Sequence, residues 1–199
     1  MESRSWDEKY RATDRLWSVK PNLFVADRLG PAQPGVGLDL ASGEGRNAIW
    51  LSELGWTMTA VDFSEVAVER GRAVSDTVDF VVGDVLTWEP SGTFDLVLIA
   101  YLQLSEDLLG PVVEKASAWL EPDGEVFMIG HDRSNIEEGY GGPQVPEILW
   151  DVESIRSWLS RLTVIEAQVV RRPVDTDEGV VFARDTLVRA RASPQRAPD

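Results

Sequence analysis

The sequence predicts an α/β fold with a doubly wound, mostly parallel sheet of seven strands and an antiparallel hairpin at the C-terminal end. Residues 36–41 form an apolar stretch that runs into a Gly-x-Gly turn and a helix-forming segment, as where a buried parallel strand feeds a helix. Residues 94–100 form a nearly continuous apolar run, typical of a central parallel strand. The last two predicted strands, 162–172 and 179–191, have no helix between them, which favours antiparallel pairing.

Strands and helices alternate along most of the chain. The predicted strands are 36–41, 57–61, 78–82, 94–100, 125–130, 162–172 and 179–191. The predicted helices are about 6–29, interrupted at Pro21, and 46–54, 64–74, 106–120 and 152–160. Residues 131–150, rich in Gly and Pro, are predicted to form a long loop. We expect one domain over residues 1–192, with a helical lid or cap at 1–30 and a disordered tail at 193–199.

The segment Val36–Ala48 is typical of a nucleotide-type cofactor site. Gly43 and Gly45 let the backbone approach a ligand closely, and the free N–H groups of the following helix face that ligand. The pattern Gly43-x-Gly45-x-x-Ala48 also fits the dinucleotide fingerprint. On this pattern alone, both NAD and S-adenosylmethionine are candidates.

Three carboxylates stand at the ends of successive predicted strands, where open α/β sheets bind ligands. Asp62 suits the two ribose hydroxyls of either cofactor. Asp39 suits a cationic group, such as an α-ammonium, better than a pyrophosphate. Asp84 suits the exocyclic amine of adenine. Together they favour S-adenosylmethionine.

The same residues also have structural interpretations. The glycine turn can be purely structural, Asp39 can cap the helix that follows, Asp62 can support the cap of the next helix, and Asp84 can belong to a plain turn. Arg46 lies in the first turn of a helix, where the macrodipole disfavours a cation. We expect it either to meet the carboxylate of the methionine moiety or to pair with Glu44 in solvent.

In these features the chain resembles the class I S-adenosylmethionine-dependent methyltransferases over nearly its whole length. The branch it resembles is the small bacterial enzymes grouped with tellurite-resistance and thiopurine methyltransferases. Many class I members carry Gly where Ala41 stands. The matching segments are Trp6-Asp7-Glu8-Lys9-Tyr10, Leu38-Asp39-Leu40-Ala41-Ser42-Gly43-Glu44-Gly45-Arg46-Asn47-Ala48, Ala60-Val61-Asp62-Phe63-Ser64, Gly83-Asp84-Val85 and Phe94-Asp95-Leu96-Val97-Leu98.

The resemblance implies a Rossmann-like fold and S-adenosylmethionine as cofactor. Similar enzymes use an N-terminal segment as a lid and place substrate beside the residues after the fourth strand, here Tyr101-Leu102-Gln103-Leu104. Similar chains often carry His where Gln103 stands, and glutamine is no base near neutral pH. The predicted cofactor-binding residues are Asp39, Ala41, Gly43, Gly45, Arg46, Asp62, Phe63, Asp84, Val85, Trp6, Tyr10 and Tyr101.

The N-terminal segment carries an aromatic stripe. Trp6, Tyr10 and Trp17 share one face of a helix. Such a stripe either packs into the core or offers aromatic faces to a sulfonium.

The loop after the fifth predicted strand holds the only histidine, His131, next to Asp132. Neighbours on an extended chain point in opposite directions, so we do not expect these two to pair. His131 is the histidine candidate for a general base at the substrate, or else a hydrogen-bonded residue at a strand end. We predict that residues 131–150 form a mobile lid that orders when cofactor and acceptor are bound. Tyr140 and Trp150 either line a substrate pocket or pack under this loop.

Composition narrows the class of protein. A net charge of −15 disfavours nucleic acid as a partner. With no cysteine and one histidine, neither disulfides nor a thiolate or histidine metal cluster is expected. The chain shows no apolar signal segment at its start and no run long enough for a membrane span, so we expect a cytoplasmic protein without a membrane partner.

The expected activity is in-line transfer of a methyl group to a small-molecule acceptor, with a thiol or chalcogen nucleophile as a candidate. An ionised soft nucleophile needs no base, whereas an amine or hydroxyl can need one. Two alternatives are an NAD(P)-dependent oxidoreductase and a cofactor-binding module without turnover. The first would set a pyrophosphate against Asp39 and Glu44, and the chain has no evident Tyr-x-x-x-Lys pair. The sequence leaves the acceptor and the oligomeric state open.

Overall fold

The computed structural model describes residues 3–12 and 20–194. The helices are Ser3–Arg11 (α1), Leu23–Leu29 (α2), Arg46–Glu53 (α3), Glu65–Val74 (α4), Glu106–Ser117 (α5), Asn135–Glu138 (α6) and Val152–Trp158 (α7), with a 3₁₀ turn at Pro146–Ile148. The strands are Val36–Leu40 (β1), Thr57–Asp62 (β2), Val78–Val82 (β3), Phe94–Ala100 (β4), Leu120–His131 (β5), Thr163–Thr176 (β6) and Gly179–Arg191 (β7).

The chain divides into two compact units, Met1–Ala100 and Tyr101–Asp199. In the first, the strand order is β3-β2-β1-β4, and β1 pairs in parallel with both β2 and β4. In the second, β7 lies between β5 and β6 and is antiparallel to both. The seven strands form a mostly parallel sheet with antiparallel C-terminal strands, so the predicted fold class is confirmed. The single-domain organisation stays a prediction.

Burial on both faces explains why the sequences of the parallel strands are continuous apolar runs. Leu38, Leu40, Ala60, Val61 and the stretch Val97–Ile99 are fully buried, as side chains covered on both faces of a sheet must be. In the parallel register Leu40 lies opposite Val61 and Asp62 lies opposite Val82. The strand-end carboxylates of β1 and β2 therefore stand at the same edge of the sheet.

Several predicted boundaries were wrong. Strand β5 begins at Leu120 rather than at residue 125. Helix α5 ends at Ser117 rather than at residue 120. Just after Ser117, the N–H of Ala118 donates a hydrogen bond to the Lys115 carbonyl. Strand β6 continues to Thr176, past Pro173, because an edge strand tolerates a proline that cannot donate to the ladder. The predicted structureless loop 131–150 contains α6 and the 3₁₀ turn.

The helices predicted over residues 6–29 are observed only in part. Helices α1 and α2 form, and Asn22 caps α2 by accepting from the N–H groups of Phe24 and Val25. Residues 1–2 and 13–19, with Trp17, lie outside the described residues, as does the end of the predicted tail, 195–199. Within 3–12 and 20–194, no helix has the length and apolar character needed to cross a membrane.

Candidate active site

The turn between β1 and α3 has a left-handed backbone at alternate residues. Ala41, Gly43 and Gly45 have φ angles of 56°, 57° and 77°. A side chain at Gly45 would also meet the Phe80 ring, 2.5 Å from an ideal Cβ. Glycine suits this geometry, whereas Ala41 adopts it at a steric cost of about 1–2 kcal/mol. Ala41 is thus a strained residue inside the predicted cofactor turn.

Asp39 is a buried carboxylate next to the glycine turn. It is 1 % exposed, and neither carboxylate oxygen has a hydrogen-bond partner within the described part of the chain. Burial raises its pKa to about 7, although the nearby Ala48 N–H and the charge of Arg46 lower it. A buried carboxylate left without a partner is costly, so this position fits a cationic or hydrogen-donating ligand group.

Asp62 ties the end of β2 to the glycine turn. Its Oδ2 accepts from the Gly43 N–H at 2.8 Å and its Oδ1 accepts from the Ser64 N–H at 2.9 Å. Burial raises the pKa of Asp62, and the two N–H groups lower it. Asp62 therefore supports the N-terminal cap of α4, which is the structural role considered for it. Each oxygen keeps a further lone pair that can accept from a ribose hydroxyl, and that role stays a prediction.

Asp7 of α1 belongs to this region and was missed by the sequence analysis. Ser64 caps α4 by accepting from the Ala67 N–H, and its hydroxyl donates to the Asp7 carboxylate. The charge of Asp7 also contributes to the raised pKa of Asp62. Its position in the Trp-Asp-x-x-Tyr segment was the available signal.

The two aromatic rings of α1 differ in burial. The ring centroids of Trp6 and Tyr10 lie 6.2 Å apart. Tyr10 is buried in the core, whereas Trp6 is only half-buried. Contact of either ring with a ligand stays a prediction.

The remaining predicted cofactor residues differ in exposure. Asp84 is exposed and accepts from the Leu86 N–H at 2.9 Å, so it forms the turn considered for it, while adenine contact stays a prediction. Val85 is buried and Phe63 is half-buried. Glu44 forms an ion pair with Arg70 of α4 at 3.0 Å.

In the second unit, three side chains, those of Tyr101, His131 and Arg172, converge around Asp185 of β7. Asp185 is fully buried, and its Oδ2 accepts from the Tyr101 hydroxyl at 2.7 Å and from Arg172 Nε at 2.7 Å. His131 Nδ1 lies 3.3 Å from Asp185 Oδ1. Burial alone raises the pKa of Asp185, but the close contact with His131 and the charge of Arg172 outweigh burial and lower it. We call these residues the Asp185 cluster.

Two members of the Asp185 cluster were predicted from the sequence and two were not. Tyr101 and His131 were identified because they follow or end predicted strands, whereas Arg172 and Asp185 were not considered. A carboxylate between the buried residues Ala183 and Leu187 was the available signal for Asp185. Asp132 bonds with Ser134 and Thr186, in line with the expectation that it does not pair with His131.

Hydrogen bonds hold the loop 131–150 in place near both of its ends. Asn135 is buried, accepts from the Arg184 N–H at 2.7 Å and donates to the Gly141 carbonyl at 2.8 Å. Trp150 is buried under the loop, and its indole donates to the Leu102 carbonyl at 3.0 Å. Of the two interpretations offered for Trp150, packing is therefore the observed one. Tyr140 is exposed.

Known methyltransferases share sequence with part of this chain. Residues 38–124 match the family described as a methyltransferase domain. A relative from Arabidopsis thaliana, named probable thiol methyltransferase 2, is 26 % identical over 152 residues. That match covers 71 % of this chain and 66 % of the relative, just under two thirds of its length.

Two solved structures share the fold. TehB from Haemophilus influenzae superposes with a TM-score of 0.74 at 15 % identity, covering 94 % of this chain and 66 % of that one. The N-methyltransferase NodS from Bradyrhizobium japonicum WM9, solved with S-adenosyl-L-homocysteine, superposes with a TM-score of 0.71 at 17 % identity, covering 96 % and 99 %.

Proposed function

We propose that the chain is a class I S-adenosylmethionine-dependent methyltransferase and that it methylates the sulfur of a small thiol or a related chalcogen nucleophile. The match of residues 38–124 to a methyltransferase domain and the fold shared with NodS support this proposal. The observation that carries the cofactor assignment is the buried carboxylate of Asp39 beside the glycine turn, which has no hydrogen-bond partner among residues 3–12 and 20–194. A pyrophosphate at that place would add anions to a carboxylate that already lacks a partner. An α-ammonium would supply the missing donor and the missing charge.

The other residues of the turn complete the proposed cofactor site. Asp62 would receive the ribose hydroxyls on lone pairs that the Gly43 and Ser64 N–H groups leave free. Asp84 and Val85 would lie at the adenine. Arg46, whose charge acts on Asp39, would meet the methionine carboxylate. Bound S-adenosylmethionine supplies a methyl group already activated on a sulfonium sulfur, so the chain has to hold and align the reactants.

Sulfur as the accepting atom is supported by the curated relative, whose name is that of a probable thiol methyltransferase. Thiolates and heavier chalcogen anions are soft nucleophiles, which suit a soft methyl-sulfonium carbon. Glu138 of α6 forms an ion pair with Arg184, whereas the exposed Glu137 would repel a large polyanion. We therefore favour a small neutral or soft acceptor.

The test is release of S-adenosylhomocysteine from S-adenosylmethionine in the presence of single acceptors. A panel of small thiols, hydrosulfide and tellurite under reducing conditions is compared with matched amines and alcohols. We expect turnover with one or more sulfur or chalcogen acceptors and only background with the amines and alcohols. Turnover confined to amines or alcohols would refute the acceptor class, and binding without turnover on any of them would favour the cofactor-binding module.

A further inference from the structure

The Asp185 cluster is a buried polar group in the second unit that holds one side of an imidazole ring. Nδ1 of His131 and Oδ1 of Asp185 lie 3.3 Å apart, and each is buried without another hydrogen-bond partner among the described residues. Each is therefore the partner available to the other. A small rotation of the ring closes this contact into a hydrogen bond, as often happens when an open site binds its ligand.

The orientation of Asp185 is itself fixed. Its second oxygen, Oδ2, receives the Tyr101 hydroxyl and Arg172 Nε, both at 2.7 Å. The Arg172 guanidinium also lies over the Tyr101 ring, 5.8 Å from its centroid. Oδ1 is thus left to face His131, and Asp185 remains an anion because its charge is balanced by Arg172.

The imidazole is confined on its remaining sides. The Tyr101 ring packs against it with centroids 4.8 Å apart. The backbone of Gly142 lies so close that a Cβ there would be 3.1 Å from His131 Nδ1 and Cε1. The side chain is nevertheless 15 % exposed, so the edge opposite the buried Nδ1, which carries Nε2, is the one left for a ligand.

The backbone of Tyr101, which packs against His131, is strained. Its φ angle of 57° lies in the left-handed region, which bulky residues rarely adopt. Non-glycine residues in that region cost about 1–3 kcal/mol and persist where the surroundings impose them, often at functional sites. Tyr101 directly follows β4 and His131 ends β5, so both stand at the carboxyl ends of strands, where open α/β sheets bind ligands.

We propose that Asp185, with Tyr101 and Arg172 as further positioning residues, keeps the proton of His131 on Nδ1, so that Nε2 is the general base that ionises a protonated thiol acceptor. The S–H proton passes to Nε2 and its electron pair stays on the sulfur. The resulting imidazolium is stabilised by Asp185 and loses its new proton to water. This inference rests on the proposed function and narrows it, because it assigns acceptors that arrive as neutral thiols.

The first test measures which nitrogen of the imidazole carries the proton, and it needs no turnover. His131 is the only histidine in the chain, so ¹⁵N spectra of the free protein at alkaline pH report one ring. We expect the neutral ring to carry its proton on Nδ1. Asp185→Asn should shift the ring towards the Nε2–H form that free histidine prefers. The control Glu137→Gln, a carboxylate-to-amide change on the same loop, should leave the spectrum unchanged. A wild-type ring protonated on Nε2 overturns the proposal.

The second test compares two thiols of similar size. Benzyl mercaptan is protonated at neutral pH, whereas 4-nitrothiophenol is already ionised. Loss of a general base should lower kcat/KM for benzyl mercaptan about 100-fold in His131→Gln, and less than about 5-fold for 4-nitrothiophenol. An equal loss on both thiols overturns the proposal, because a structural defect would not depend on acceptor ionisation.

The two proposals fail in different ways. If the wild-type protein binds S-adenosylhomocysteine but methylates neither these two thiols nor any thiol of the panel, the thiol acceptor is refuted, and with it the role of His131 towards thiols. The ¹⁵N spectrum then still decides whether Asp185 positions the ring. If the ionised thiol is methylated and benzyl mercaptan is not, the proposed function stands and the general base is refuted.

Discussion

Asp39 is the residue on which the account of the cofactor site depends. Burial raises its pKa from 3.8 to about 7, so between these values the folded protein binds a proton that the unfolded chain releases. The free energy of unfolding therefore falls as the pH rises from about 4 to 7. Removal of the carboxylate from water is the reason for this cost.

We predict that Asp39→Asn stabilises the free protein above pH 7, by up to about 4 kcal/mol, and leaves its stability near pH 4 unchanged. The same variant should bind S-adenosylhomocysteine more weakly by about 1.5–3 kcal/mol, because a charged hydrogen bond is lost. Denaturant unfolding at several pH values and calorimetry measure the two effects. Asp79→Asn, an exposed carboxylate on β3, is the control. A destabilised variant with normal affinity would contradict this account of Asp39.

Asp62 differs from Asp39 because both its oxygens already hold the backbone. We predict that Asp62→Ala weakens S-adenosylhomocysteine binding by about 1.5–3 kcal/mol. It should also lower the free energy of unfolding by about 1–3 kcal/mol, since two N–H groups lose their partner. Calorimetry on protein shown to be folded by circular dichroism is the measurement. Wild-type affinity in that folded variant would rule out the ribose role.

At the scale of the elements, α4 packs on β3 through a glycine. An ideal Cβ at Gly71 would lie 2.3 Å from the ring of Phe80, which is buried in the core. We predict that Gly71→Ala destabilises the protein by about 1–3 kcal/mol, although alanine is the better helix former. Gly92→Ala, where nothing lies within 4 Å, is the matched control and should change the stability by less than about 0.5 kcal/mol. Equal unfolding midpoints for the two variants would contradict this packing.

The loop 131–150 is a second element with a testable property. The N–H groups of Asp132, Arg133 and Trp150 are bonded to backbone carbonyls, whereas residues 144–147 are exposed. We predict slow hydrogen exchange at these three N–H groups and fast exchange at the N–H groups of Gln144, Val145 and Glu147 in the free protein. S-adenosylhomocysteine together with a thiol acceptor should slow the exchange at 144–147. Fast exchange that persists in the ternary mixture would show that no lid closes there.

The elements themselves were largely predictable because buried parallel strands leave apolar runs in the sequence. The glycine turn and the strand-end carboxylates also follow from local patterns. The Asp185 cluster did not, because the hydrogen bond from Tyr101 to Asp185 joins residues 84 positions apart. No local pattern encodes such a contact. The left-handed Tyr101 and the fastened ends of the 131–150 loop depend on the same kind of long-range packing.

At the scale of the whole molecule, the net charge of −15 has a consequence for the ligand. An acidic protein attracts a cationic cofactor and repels anions over much of its surface, an effect that salt screens. The acid-lined turn extends this preference to short range. Both effects favour S-adenosylmethionine over a dinucleotide with its pyrophosphate.

Calorimetric titration of the protein with S-adenosylhomocysteine and, separately, with NAD tests the central claim most directly. Near pH 7 we predict saturable binding of S-adenosylhomocysteine, with release of a proton as Asp39 becomes ionised, and no saturable binding of NAD. Buffers of different ionisation enthalpy reveal the proton. Saturable binding of NAD with no response to S-adenosylhomocysteine would contradict the account.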